Sequence, residues 1–289
     1  MSSILLFVGH GNSMRTKQDK CVLCQISQAD QRNSHIVPKF MAKSYMNQGQ
    51  SLLYTFESDN LASMPAPRQD LVKEDYLLCS ECEKYFGVLD RYFSEHVHKP
   101  LVTNPRSSAY IQWDVHMDSG KILEALEANS SMAQLFIQSL IFRTCISTKS
   151  PFNEINFNSS ELSSLREHLC TYRAVRERDV KENLMIERYG KLFLISPYAL
   201  FVRMDRLNTP FSSLFSVEVS EEFVGIHAGE YFIQLYDHRK PFYDSQSFII
   251  NSALLPVKVV FLPNAFFHYF FKQAIHKLFG QNINLGQMI

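Results

Sequence analysis

The sequence predicts an α+β protein: a small N-terminal module organised by cysteines, a helical extension, and a β-rich C-terminal domain closed by a helix. Three patterns carry that expectation. Two Cys-x-x-Cys pairs, Cys21/Cys24 and Cys79/Cys82, flank residues 25–78. Apolar residues then recur every three or four positions, first from Tyr85 to Val97 and again beyond Met132. From Lys191 onward the chain turns to short runs rich in β-branched and aromatic residues. The expected layout is a tail over 1–17, the cysteine module over 18–106, a helical segment over 107–190 and the β-rich domain over 191–289.

The cysteine pairs are the most specific signal. A two-residue spacer lets both sulfurs of a pair face one ion, and zinc takes four such thiolates tetrahedrally. Cys21, Cys24, Cys79 and Cys82 are therefore expected to hold one structural Zn²⁺. A redox pair would call for a thioredoxin-like βαβ context, which the surrounding residues do not show. The other two of the six cysteines, Cys145 and Cys170, fall in helical patterns, where a buried free thiol is the ordinary state. This usage fits a reducing compartment rather than a secreted disulfide scaffold.

Taken in order, residues 4–8 are a short apolar run, read as a strand or packed tail, and 9–20 a polar connector in which His10 is solvated. Residues 41–49 suit a short helix, 51–56 a strand, and 57–70, with Pro65 and Pro67, a loop. A helix opens at the second cysteine pair, with Tyr85, Phe86, Leu89, Tyr92, Phe93 and Val97 on one face, and Pro100 is expected to end it. A cysteine pair that opens a helix in this way is the arrangement of a treble-clef zinc finger. A short strand over 109–115 follows. Residues 132–146 read as a largely buried helix, and a second helix runs from the cap Asn158 to Gly190, with Glu161 completing a capping box. Its Arg173, Arg176, Arg178, Lys181 and their acidic neighbours mix signs, so a solvated face is expected. Strands are expected at 192–195, 199–204, 215–219, 224–226, 231–236, 248–250 and 257–262, then a closing helix at 264–279.

Composition limits the function. The 289 residues include 46% hydrophobic positions, enough for a sizeable core, with 23 Phe, 13 Tyr and one Trp. Lys+Arg and Asp+Glu are equal at 29 each. A chain that grips nucleic acid unaided carries a basic surplus, and here only a local patch would serve. No run reaches the ~20 apolar residues that span a bilayer, and 4–8 lacks the basic flank of a signal peptide, so a cytoplasmic protein with no membrane contact is expected.

The string Cys21-x-x-Cys24, then Ser34-His35-Ile36-Val37-Pro38-Lys39-Phe40, then Leu77-Leu78-Cys79-Ser80-Glu81-Cys82-Glu83-Lys84-Tyr85-Phe86 resembles the HNH endonuclease superfamily over about residues 18–100. In particular it looks like a bacterial HNH-like subfamily linked to defence against phage. The resemblance implies a ββα-metal fold braced by structural zinc, with His35 as general base for hydrolysis of a DNA phosphodiester. It also implies a catalytic Mg²⁺ or Mn²⁺ with Glu83 as a ligand, since carboxylate oxygens suit those ions. Asp90, two turns along the same helix face, would support the site. Two positions depart from the family pattern: Ser34 stands where such nucleases have an acid, and Glu83 where they have His or Asn.

Each of these residues also has a structural reading. His35 would shape the turn before Pro38, Glu83 would be a first-turn carboxylate favoured by the helix dipole, and Asp90 would pair with Arg91 or Lys84. His96 and His98 would be exposed. The alternative function is a non-catalytic structural-zinc protein, an interaction subunit whose C-terminal domain binds a protein partner or forms a homo-oligomer. The near-balance of charge within 15–106 and the added thiolates favour either that alternative or a partner that supplies the DNA contacts, because phosphate binding calls for cations.

Overall fold

The computed structural model describes residues 15–41, 53–55, 66–68, 71–103, 110–114, 121–149, 152, 159–188, 198–203, 215–219, 223–228, 231–236, 251 and 256–262. The strands expected at 4–8, 192–195 and 248–250, most of the helix expected at 41–49, the cap Asn158 and the closing helix at 264–279 lie outside these residues. Helix and sheet are both present, in the mixed α+β arrangement expected. Among the described residues no helix is long and apolar enough to cross a membrane.

The N-terminal part is a split hairpin and a helix. β1 (Ser34–His35) pairs antiparallel with β4 (Lys73–Glu74), placing Ser34 opposite Glu74 and His35 opposite Lys73. Between them β2 (Leu53–Thr55) and β3 (Ala66–Arg68) form their own two-stranded ladder. β3 lies inside the stretch expected to be loop. Pro67 is compatible with β3 because both strands of a two-stranded ladder are edge strands, where proline is tolerated.

α1 (Ser80–Phe93) buries the face the spacing predicts: Tyr85, Phe86, Leu89, Tyr92 and Phe93 are all within 2% of full burial. Pro100 does not end the helical path. The chain widens into a π-helical turn, Ser94–His98, and continues as α2 (Lys99–Thr103). A proline at position 100 cannot donate to the carbonyl four residues back, and its ring crowds that carbonyl. A wider turn just before it relieves both problems, and Pro100 then sits in the first turn of α2, where an N–H has no partner to lose.

β5 (Tyr110–Asp114) and β6 (Lys121–Ala125) lead to α3 (Ser130–Ile146). The Asn129 side chain caps α3 by accepting from the Met132 amide at 3.0 Å. Every residue of α3 from Ser130 to Thr144 is buried, as befits a central helix with no solvent face. Two of its buried hydroxyls turn back on the helix itself: Ser139 and Thr144 donate to the carbonyls of Phe136 and Ile141.

The single helix expected from 158 to 190 is two. α4 (Ser159–Thr171) and α5 (Glu177–Arg188) are separated by a turn at 172–176. Tyr172 is buried at this turn, while Val175, which continuous helical spacing from Leu169 and Tyr172 would place on the same face, is exposed. The break resets the helical phase.

A seven-stranded sheet completes the fold, in the order β5-β6-β11-β7-β10-β9-β8. Its remaining strands are β7 (Tyr198–Arg203), β8 (Phe215–Val219), β9 (Phe223–Ala228), β10 (Tyr231–Tyr236) and β11 (Val257–Leu262). All neighbours are antiparallel except β11 and β7. The sheet thus draws strands from both sides of residue 190. One contiguous core joins it to α1 and α3: Phe93 stacks on Phe136 at 4.1 Å between ring centres and meets Tyr231 of β10 edge-on. His98 sits in this seam, with Nδ1 2.6 Å from the Tyr231 hydroxyl and its ring against Phe40. His98 is therefore a packing residue rather than the exposed one expected.

Phe136 is fully buried at the centre of this seam. Phe136→Ala should lower the unfolding free energy by about 3–5 kcal/mol, measured by urea denaturation.

Candidate metal centre and adjoining cleft

The backbone brings the two cysteine pairs together before any metal is considered. Val22 N–H donates to Leu77 O at 2.9 Å, Gln31 N–H to Leu78 O at 3.1 Å, and Tyr76 N–H to Gln31 O at 2.7 Å. The first pair closes a tight turn in which Gln25 N–H reaches Cys21 O and Gln25 itself adopts φ 56°, an uncommon conformation for a residue with a side chain. The second pair opens α1, with Cys79 at its N-cap. There burial pushes the Cys79 thiol up, outweighing the Cys82 backbone N–H, which favours the Cys79 thiolate.

The result is a cluster of four buried cysteines, Cys21, Cys24, Cys79 and Cys82, whose sulfurs all lie within 4.8 Å of one another. Cys24 Sγ and Cys79 Sγ are 3.9 Å apart. Four sulfurs each ~2.3 Å from a tetrahedral zinc are separated by about 3.8 Å, so the cage fits a structural metal such as zinc. Charge argues the same way. The hydrogen bond from Cys82 holds the Cys21 thiol far down, at about 4, while that shared contact and burial push Cys82 far up. Four negative sulfurs share this volume only if a cation offsets them.

Helix α4 and the turn after it close over this cage. Arg173 Nη1 donates to Cys82 Sγ at 3.4 Å, and the Arg173 guanidinium is stabilised by that thiolate. Arg166 Nη1 and the Cys170 thiol both donate to the Leu23 carbonyl inside the first pair, at 3.4 and 3.2 Å. Arg173 belongs to the face expected to be solvated. The break between α4 and α5 turns Arg173 inward, a direction that continuous helical spacing could not reveal.

Beside the cage lies a cleft of about 360 Å³. His35 from β1, Glu83, Gly87 and Asp90 from α1, and Arg143 from α3 line it, with exposed Lys39 and Arg91 adding cations. His35 and Glu83, the two sequence candidates for chemistry, thus share one cavity. Ser34 donates its hydroxyl to Glu83 Oε2 at 2.8 Å. Burial pushes the Glu83 carboxyl up, while the Ser34 hydroxyl and the nearby Arg143 pull it back.

Asp90 is an ion-pair partner, but of neither neighbour on its own helix. Arg143 grips it with both terminal nitrogens, at 2.7 and 3.0 Å. The Arg143 guanidinium also donates to the Ser139 carbonyl and hydroxyl and lies over the Phe86 ring at 5.3 Å. Arg143 escaped the sequence reading because it sits in a helix that reads as pure core. Glu74, across β1–β4 from Ser34, is likewise consumed internally: it accepts from the Ser147 and Thr148 hydroxyls and the Thr148 amide. Among the described residues the four cysteines are the one group of three or more ligating side chains that converge.

Comparison with protein families, with curated proteins and with solved structures found no match.

Cys79→Ser should empty the cage of zinc and unfold the hairpin–helix region, because metal binding at such a site is folding energy. Elemental analysis and thermal melting check both effects. Arg173→Met should retain the fold with zinc present but weaken zinc binding by about 10–100-fold, measured by competition with a chromophoric chelator.

Proposed function

We propose that this chain is an HNH-like, metal-dependent endonuclease that hydrolyses DNA phosphodiesters, built on a treble-clef-like unit whose four-cysteine zinc is structural. The single observation that supports this most is the shared cleft. A histidine on a short strand, a helix pinned by cysteines at its start, and a carboxylate in that helix's first turn meet around one cavity that also holds a guanidinium.

In this reading His35 takes a proton from water as the water oxygen attacks phosphorus. The bond from phosphorus to the leaving sugar oxygen breaks as the new one forms, and a proton from solvent completes the alcohol. Glu83, whose Oε2 accepts from Ser34, would hold a divalent ion. Oxygen donors of this kind suit Mg²⁺ or Mn²⁺, which keeps most of its waters and so does not need a full protein cage. Such an ion supplies charge to offset that developing on the phosphate. Asp90, committed to Arg143, acts as a support rather than a ligand. The resemblance that motivates this reading also connects it with defence against phage.

One observation favours a second reading, a non-catalytic zinc scaffold that works as an interaction subunit. Both carboxylates of the α1 face already have protein partners, Glu83 in Ser34 and Asp90 in Arg143, and Ser34 supplies no acid to a second metal.

Incubation of the pure protein with supercoiled plasmid and Mg²⁺ or Mn²⁺ separates the two. Nicking that EDTA stops would eliminate the scaffold reading. His35→Ala should abolish that nicking, a drop of at least about 100-fold for loss of a general base, while zinc content stays at one per chain. An alanine variant that cuts as fast as the native chain would remove His35 from the mechanism.

A further inference from the structure

Gly87 lies in the interior of α1, where glycine is the least favourable residue after proline. Packing does not require it. A Cβ built at Gly87 would meet no atom within 4 Å, so no neighbouring side chain or backbone presses against this point. Gly87 is exposed and lines the cleft. It stands four residues after Glu83 and three before Asp90, so all three share one helix face.

A second feature of the same wall points to a ligand. Arg143 is nearly fully buried, and its donors are counted easily. Asp90 takes one N–H from each terminal nitrogen, and Ser139 takes the Nε proton and a second Nη2 proton. A guanidinium has five N–H donors, so one proton, on Nη1, remains without a partner among the described residues. A cleft whose helix wall has been cut back to bare backbone, beside a fixed guanidinium with an unused donor, has the shape and charge of an oxyanion seat. Lys39 and Arg91, also in the lining, outnumber with Arg143 the two carboxylates there.

We infer that Gly87 and Arg143 form a phosphate seat: one phosphate of a nucleic-acid backbone lies against the α1 backbone at Gly87 and takes the remaining Nη1 proton of Arg143. Asp90 is the positioning residue that holds the guanidinium in place. This inference rests on the reading that the cleft receives a phosphodiester, and it names the groups that do not react but set where the backbone lies. The bare helix surface acts through size, and Arg143 through one directed hydrogen bond.

The test uses Gly87→Ala and Gly87→Leu, which alter neither charge nor any protein contact seen here. Both should raise Tm, because they replace a poor helix former at an unobstructed position. Binding of a short fluorescein-labelled DNA duplex, measured by anisotropy in EDTA, should weaken roughly tenfold for alanine, the cost of a methyl group in a fitted site, and be lost for leucine. Plasmid nicking should fall in step. Raised Tm with unchanged binding and nicking would overturn the seat while leaving the endonuclease reading intact. Duplex binding that is sensitive to Gly87→Ala in a native protein that nicks nothing would uphold the seat and remove the endonuclease reading. Native protein that neither binds the duplex nor nicks would overturn both.

Discussion

The convergence of four buried sulfurs is the constraint on which the N-terminal half depends. The backbone ladder between residues 22–31 and 76–78 fixes their positions, and Cys79 and Cys82 enter the cage from the start of α1. A divalent ion with four thiolates carries a net charge of about −2. Removing that charge from water is costly unless counter-charges stand close. Arg173 donates directly to Cys82 Sγ, and Arg166 to the carbonyl between the first two cysteines. The four-sulfur cage and the docking of α4 are thus two sides of one electrostatic balance.

That centre also fixes the start of α1, and α1 then serves as a ruler for everything beside it. One face carries Cys82, Tyr85, Phe86, Leu89 and Phe93 into the core, where Phe93 meets Phe136. The other carries Glu83, Gly87 and Asp90 along the cleft. A helix set in this way cannot rotate without tearing sulfurs from the cage or aromatic rings from the seam. The cleft geometry is therefore over-determined, and its side chains sit on rigid elements rather than on loops.

The cage was legible in the sequence because each half of it is local. A two-residue spacer between cysteines is itself the geometric requirement, and thiolate chemistry supplies the rest. The apolar face of α1 was equally legible, since it repeats over four turns. What could not be read is long-range. Arg143 meets Asp90 across 53 positions and Arg173 meets Cys82 across 91. Nothing local distinguishes a solvated arginine from one turned inward by a helix break. Pro100 misled for a different reason. Its local rule, that proline stops a helix, holds for an α-helical path and was met by a π-helical turn. β6 lacked a signal of its own, because Lys121–Ala125 is defined by its partners β5 and β11 rather than by alternation.

The Arg143–Asp90 pair bears on the function proposed for this cleft. Buried ion pairs are weak sources of stability, since hydrophobic replacements of similar volume often serve as well or better. Packing α3 against α1 therefore did not require a guanidinium; another Phe or Leu would have joined the Phe86–Phe142 contact. A lysine would not reproduce the arrangement, because only a planar fork can grip both oxygens of Asp90 and still offer a proton in a fixed direction. A glycine inside a helix next to that fork is a second cost to stability at the same place. Two such departures from the most stable sequence, on facing elements and around one cavity, accord with the proposed phosphate seat, in which shape would matter more than the stability of the walls.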